Sequence, residues 1–209
     1  DECSYFGNES NHNCLKCNNS EGYYFKENDN SQNCFTNNTI DIGYFLDEEN
    51  TIFKKCNPRC SACDKSENQC LECNNANNYH FSPNNDSYCI TEDELEDVNF
   101  YLDVEEDKYK ICNERCLNCS GPNETDCILC NNSKGYFFKE TNINNICYSE
   151  NEIEEGYYID YNLELFKKCN EKCLICNQSE DNCILCNNTK GYYFKEDDNT
   201  LTCYSENEI

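Results

Sequence analysis

The sequence predicts a small disulfide-rich fold, mostly irregular with short β-hairpins and very little helix, repeated in tandem as a linear rod. Three observations carry that reading. Cysteine fills 22 of 209 positions, a density at which a covalent framework replaces the core of small modules. One string recurs: Cys183 to Ile209, CILCNNTKGYYFKEDDNTLTCYSENEI, matches Cys127 to Ile153 at 19 of 27 positions, and it appears again at Cys14 to Ile40 and more loosely at Cys70 to Asp93. Hydrophobic residues are 37% even with Cys and Tyr included, and the mean hydropathy is -0.94, so aliphatic burial alone does not hold the chain together.

Four modules follow in order. Residues 1–52 form an incomplete one with Cys3, Cys14, Cys17 and Cys34. Residues 53–108 open on FKKC and carry Cys56, Cys60, Cys63, Cys70, Cys73 and Cys89. Residues 109–165 open on YKIC and carry Cys112, Cys116, Cys119, Cys127, Cys130 and Cys147. Residues 166–209 open on FKKC and carry Cys169, Cys173, Cys176, Cys183, Cys186 and Cys203. The shared spacing is C-x3-C-x2-C-x6/7-C-x2-C-x15/16-C with a period of 56 to 57 residues, and the first module lacks its first two cysteines. Cys203 to Ile209 repeats Cys147 to Ile153, which runs on into EEGYYIDYNLELFKKC. The array is therefore expected to continue beyond residue 209.

Within a module, two aromatic stretches flank Asn/Asp-rich turns, as in GYYFKE–DDNT–LTCY and GYYIDYNLELFKKC, and both read as short hairpins. The closely spaced cysteines and polar filler between them, such as Asn170 to Asp181, show no helical or strand period and read as irregular loop. The best helix candidate is Thr91 to Asp97, TEDELED, with Thr91 as a cap.

A net charge of -25 argues against nucleic acid or an anionic membrane surface as partner, because both are polyanions. The window holds no Met, no basic leader and no apolar run near the roughly 20 residues that span a bilayer. A signal peptide or anchor is expected outside it.

Paired C-x2-C motifs can close a zinc tetrad. Six cysteines per full module leave two beyond a tetrad, and only two histidines and no basic surface accompany them, so disulfides are the reading and no metal is assigned. Six cysteines allow 15 pairings, and spacing leaves them open. The incomplete module adds one constraint: if its four cysteines close among themselves, the rule must tolerate loss of positions one and two. A pairing of one with three, two with four and five with six meets this after one local change. It gives Cys56–Cys63, Cys60–Cys70, Cys73–Cys89, Cys112–Cys119, Cys116–Cys127, Cys130–Cys147, Cys169–Cys176, Cys173–Cys183 and Cys186–Cys203, with Cys3–Cys14 and Cys17–Cys34 in the first module.

Nine N-x-S/T sequons stand at Asn8, Asn18, Asn37, Asn85, Asn118, Asn123, Asn131, Asn177 and Asn187, about twice what this Asn-rich composition generates by chance. Asn18, Asn131 and Asn187 each directly follow the second C-x2-C, so glycans would recur on one face, whereas the second module has NNAN there. The aromatic stripe of Tyr23, Tyr24, Phe25, Tyr44, Phe45, Tyr136, Phe137, Phe138, Tyr157, Tyr158, Tyr192, Tyr193 and Phe194 reads first as alternate rings packed on disulfides with their neighbours facing solvent, and second as a surface for sugars or for a neighbouring chain. Acidic clusters at Asp47, Glu48, Glu49 and at Glu105, Glu106, Asp107 lack the spacing of a calcium loop and read as solvated turns. His12 and His80 have no recognisable nucleophile partner, and no constellation resembles a catalytic site.

The repeat KKCNEKCLICNQSEDNCILCNNTKGYYFKE resembles the furin-like, growth-factor-receptor-type cysteine-rich repeats of surface proteins from single-celled eukaryotes, and is similar in style to ciliate immobilisation antigens. The Asn-, Lys- and Ile-rich filler suggests an AT-rich protist genome. The resemblance covers essentially the whole chain. It implies a secreted or surface-displayed, glycosylated, rod-like chain with the one–three, two–four style of pairing; no cofactor is expected. The expected function is architectural, a cell-surface coat or a self-associating extracellular fibre. The alternative is an adhesin or receptor ectodomain whose second module recognises a carbohydrate or protein through Tyr79, His80 and Phe81.

Overall fold

The computed structural model describes residues 2–6, 14–141, 143–196 and 199–209, and of Tyr5 and Phe6 the backbone alone. The chain divides into two compact units, residues 1–96 with 102–109 and residues 97–101 with 110–209. Both are assembled from the same small parts. Among the described residues there is no α-helix.

The two C-x2-C segments of a full module are short antiparallel strands: Cys60–Cys63 with Cys70–Cys73, Cys116–Cys119 with Cys127–Cys130, and Cys173–Cys176 with Cys183–Cys186. In the first module Cys3–Phe6 pairs with Cys14–Cys17. This corrects the expectation of irregular loop, and the reason is a bulge. In a regular strand, residues three apart face opposite sides. Register shifts on both sides of the Ala62–Glu72 pair break that alternation, so Cys70 and Cys73 both turn inward while Leu71 and Glu72 stay exposed. A bulged strand of four residues leaves no period for sequence reading to find.

The cysteines that face each other across these strands, Cys60 with Cys73 and Cys63 with Cys70, are not the bonded ones. Bridges join Cys56 to Cys63, Cys60 to Cys70 and Cys73 to Cys89 in the second module. The third has Cys112–Cys119, Cys116–Cys127 and Cys130–Cys147, and the fourth Cys169–Cys176, Cys173–Cys183 and Cys186–Cys203. The first has Cys3–Cys14 and Cys17–Cys34. Among the described residues no cysteine is free. Among the described residues, the buried hydrophobic side chains are these cysteines together with Phe45, Phe53, Tyr109, Phe137, Tyr158 and Phe166, with no aliphatic residue among them. Sulfur and aromatic rings are the core.

After the second C-x2-C comes a single 3-10 turn, at Asn19–Glu21, Asn75–Asn77, Asn132–Lys134 and Asn188–Lys190. The residue that closes it is left-handed: Gly22 at φ 83, Gly135 at 84 and Gly191 at 83. Asn78, at φ 60, takes the place of glycine in the second module, the non-glycine residue that tolerates this region best. That conformation explains the glycine of GYY. Thr91 to Asp97 shortens to a 3-10 turn, Glu92–Glu94, with a capping box between Thr91 and Glu94, and Leu95 is already extended.

Both expected hairpins form. Tyr192–Phe194 pairs with Cys203–Ser205, and Tyr157–Asp160 pairs with Leu165–Lys168 in full register from Tyr157↔Lys168 to Asp160↔Leu165. Tyr44–Asp47 and Ile52–Lys55 form the equivalent of the latter. In its turn the Asp47 carboxylate accepts from the amides of Glu49 and Asn50; Asp103 and Asp160 repeat the device. These carboxylates are the aspartates that order acidic turns.

A second pairing, parallel, ties each of these hairpins to the preceding GYY strand. Phe25 lies opposite Ile52 and Lys26 opposite Phe53; Phe138 lies opposite Leu165 and Lys139 opposite Phe166; Phe81 lies opposite Lys108. The sequence boundaries at 52/53, 108/109 and 165/166 thus fall inside or beside the strands that join modules.

Candidate functional site

The site repeated along this chain is the junction between modules. Its GYY strand sends alternate rings to opposite sides. Tyr23 and Phe25 pack on the bridges of the first module, Tyr79 and Phe81 on those of the second, Tyr136 and Phe138 on those of the third, and Tyr192 on those of the fourth. The intervening ring meets the incoming hairpin edge to face: Tyr24 with Phe53 at 5.9 Å, His80 with Tyr109 at 5.7 Å and Phe137 with Phe166 at 5.8 Å between centroids. Phe53 and Phe166 are each 1% exposed. The expectation that these rings face solvent is therefore corrected at Phe137, which the next strand buries, while Tyr24 is half-buried against Phe53. The hairpin's own second ring turns the other way, Phe45 and Tyr158 packing on the cysteines of the module that follows.

A lysine seals the edge. Lys26 Nζ lies 2.6 Å from Asp41 and 4.6 Å from the Tyr44 ring centroid. Lys139 repeats this with Glu154 at 3.0 Å and with Tyr148 and Tyr157, both at 4.9 Å. The acid raises the pKa of either ammonium, chiefly by its hydrogen bond, and each ring face attracts the same cation.

A clasp of a basic residue, tyrosine and glutamate lies within each full module, with arginine in the second and third, and the sequence reading missed it. The Arg59 guanidinium donates to both carboxylate oxygens of Glu94 at 2.6 Å and to the Cys89 carbonyl at 3.1 Å, and it lies over Tyr79 and Tyr88. Arg115 does the same with Glu152, the Cys147 carbonyl and Tyr136. Lys172 takes this place in the fourth module, 3.6 Å from Glu208 and over Tyr192. The hydrogen bonds from Arg59 and then from the Thr91 amide hold Glu94 at about 2; those from Arg115 and the Ser149 amide hold Glu152 at about 2. A signal was present: a basic residue directly precedes the second cysteine of each full module, and a glutamate stands five residues after its last.

The sequon residues divide by place. Asn18, Asn131 and Asn187 are half-buried at the head of the 3-10 turn, where Ser20, Ser133 and Thr189 donate to their side-chain oxygens at 2.7 Å. Asn187 also donates to the Glu171 carbonyl at 3.3 Å. Asn74 makes the same bond, to Pro58, at 2.9 Å although its module has no sequon there. This asparagine thus has a structural task at the turn. Asn37, Asn123 and Asn177 are exposed, Asn85 is exposed at the start of a strand, and Asn118 is half-buried within one. Asn8 and His12 lie outside the described residues.

Tyr79, His80 and Phe81, the candidates for ligand recognition, are all engaged. Tyr79 lies under Arg59, His80 Nδ1 is 2.6 Å from the Asp107 carboxylate, and the Phe81 amide donates to the Asp107 carbonyl. Of the acidic clusters, Asp47 pairs with Lys54 at 2.5 Å, which with the Asn50 hydrogen bonds holds its carboxyl well below the usual range. The sulfurs of Cys3, Cys14 and Cys34 lie within 4.8 Å of one another, but as disulfide sulfurs they are not thiolate ligands. No helix among the described residues is long and apolar enough to cross a membrane.

Three curated proteins share this sequence pattern. Furin-like protease 2 of Drosophila melanogaster is 24% identical over 66% of this chain and 7% of its own length. Extracellular matrix organizing protein FRAS1 of Homo sapiens is 30% identical over 64% of this chain and 3% of its own. Cysteine repeat modular protein 2 of Tetrahymena thermophila is 27% identical over 78% of this chain and 8% of its own. The chain thus spans a small part of each. No family model matches it, and no solved structure does. Spacing and fold agree that the chain is made of cysteine-rich repeats, and it is similar in sequence to stretches of a furin-like protease, an extracellular matrix organizing protein and a cysteine repeat modular protein.

Proposed function

We propose that this chain is part of a structural, extracellular glycoprotein in which tandem disulfide-stapled modules build a cell-surface coat or an extracellular fibre, without enzymatic activity. The coarser half, an extracellular or surface module protein, rests on eleven bridges, which persist in oxidising compartments, and on similarity to an extracellular matrix organizing protein and a cysteine repeat modular protein. The proposal includes the bridge pairing described above, modules bounded at 52/53, 108/109 and 165/166, and glycans on exposed sequons such as Asn37, Asn123 and Asn177.

The observation that carries it is the junction. A GYY strand of one module pairs in parallel with the hairpin that seats on the next module's cysteines, so each added module is locked at a repeated interface, the arrangement expected of an array whose stability grows by nearest neighbours. The ligand-binding alternative has less support, because Tyr79, His80 and Phe81 are committed to contacts within the chain.

Intact mass before and after reduction and deglycosylation, followed by electron microscopy of untreated material, tests this reading. Bridged, glycan-bearing protein that assembles into sheets or filaments supports it. Free thiols would overturn the extracellular assignment, and bridged single particles that stay monodisperse at high concentration would overturn the coat.

A further inference from the structure

In the first module a sequon stands where the other modules build their clasp. Cys3 lies opposite Cys17 as Cys60 lies opposite Cys73, and the Asn18 amide donates to the Glu2 carbonyl as the Asn74 amide donates to that of Arg59. Glu2 thus holds the place of Arg59. Thr39 holds the place of Glu94, Glu152 and Glu208, because its hydroxyl accepts from the Thr36 amide at 2.8 Å where those carboxylates accept from Thr91, Ser149 and Ser205. With an acid in place of the base and a hydroxyl in place of the acid, these two residues form no ion pair. The same exchange writes Asn37-Asn38-Thr39, with Asn37 where the other modules carry Glu92, Glu150 and Glu206. Asn37 is exposed in its turn, and its side chain has no hydrogen-bond partner among the described residues. It lines a cleft of about 990 Å³ that runs past Tyr44 and Glu48 of the hairpin to Asp64 and Ser66, in the turn between the bulged strands of the second module.

We infer that this cleft is a binding site for the N-linked glycan of Asn37, whose first sugars brace the turn after Cys34 against the second module. The inference rests on the reading that Asn37 is glycosylated. Attachment names the occupant: a sugar held covalently at the cleft is present there at high effective concentration and loses little translational freedom on docking. The volume suits a short oligosaccharide, lying at the upper end of the range for ligand sites, roughly 300 to 1,000 Å³. The lining suits an N-acetylhexosamine. Glu48, Glu49 and Asp64 line the cleft with exposed carboxylates that have no side-chain partner among the described residues, and they accept from sugar hydroxyls and from the acetamide N–H. Ile40 and Tyr44, half-buried in the same wall, offer apolar surface to the sugar ring and the acetamide methyl. An anionic ligand is excluded by the same carboxylates. In the second module the clasp ties the segment after the last cysteine back onto its own strands. In the first, the glycan ties that segment forward, onto the turn of its neighbour.

The test compares the full 209-residue chain, expressed through a eukaryotic secretory pathway, with the same chain carrying Asn37→Gln. Glycopeptide mass spectrometry reads occupancy of Asn37, and amide hydrogen exchange reads the cleft. The glycan is expected to raise protection across Asp64 to Glu67 by about tenfold over the Asn37→Gln chain, and Asn123→Gln, at another exposed sequon, is expected to leave that protection unchanged. Glu48→Ala combined with Glu49→Ala retains the glycan and is expected to lose the protection. Equal exchange in the glycan-bearing and Asn37→Gln chains would overturn the docking and leave glycosylation of Asn37 standing. A bare Asn37 would overturn both at this sequon. Protection that survives the double alanine change would overturn the assigned contacts, and protection in the Asn37→Gln chain that rises with chain concentration would give the cleft to a second copy.

Discussion

Arg59 and Glu94, 35 residues apart in sequence, meet through two hydrogen bonds of 2.6 Å, and the same guanidinium donates to the Cys89 carbonyl. The contact draws the segment after the last cysteine back onto the bulged strands at the front of its module. Arg115 and Glu152 repeat it across 37 residues. Bidentate pairing of this kind is the strong form of an ion pair, though both carboxylates are more than a third exposed.

Acid is expected to loosen both clasps. Glu94 and Glu152 sit at about 2 in the folded chain, below the ordinary 4.5. A depressed folded pKa gives stability that is present above about 4.5 and is lost as pH falls through about 2. After screening at these exposures, each clasp contributes about 1 kcal/mol. Protection of the amides near Ser149 and Thr91 relative to their intrinsic exchange rates, followed from pH 5 to pH 2 with bridges intact, is expected to fall in that window, and Glu152→Gln is expected to abolish that pH dependence near Ser149.

Replacing the arginine separates charge from shape. Arg115→Lys is expected to lose the second hydrogen bond and to cost about 0.5 kcal/mol, while Arg115→Ala also uncovers Tyr136 and costs about 1 to 2 kcal/mol. Denaturant unfolding of the oxidised protein reads both.

At the junction, Phe166 is 1% exposed and sits edge to face with Phe137. Phe166→Ala is expected to cost about 3 to 5 kcal/mol at that interface and to leave every bridge formed. Limited proteolysis should then cut between residues 139 and 165, with mass spectrometry showing the disulfides unchanged.

The turn asparagine is expected to matter where no glycan can be attached. Asn74→Ala removes the hydrogen bond to Pro58 and is expected to destabilise the second module by about 1 kcal/mol, measured by thermal unfolding of enzymatically deglycosylated protein.

The bridges are expected to dominate kinetic resistance. Removing Cys130 and Cys147 together, as serines, opens the loop that holds the GYY hairpin of the third module and is expected to cost about 2 to 4 kcal/mol. Peptide mapping under non-reducing conditions then checks that Cys112–Cys119 and Cys116–Cys127 persist.

The sequence by itself determined what is local or repeated. Tandem cysteine-rich repeats, a chain not held by aliphatic burial alone, and the hairpins at Tyr157–Lys168 and Tyr192–Ser205 follow from spacing, composition and turn chemistry, which act within a few residues of chain. Tertiary structure decided the rest. The C-x2-C segments become strands because a bulge, invisible to any period of two, turns both cysteines inward. The clasp depends on bringing Arg59 to Glu94 and Arg115 to Glu152, and only bridge closure sets those distances. Whether Phe137 faces water was settled by a parallel strand arriving from the next hairpin, a long-range pairing whose two partners carry no local mark of each other.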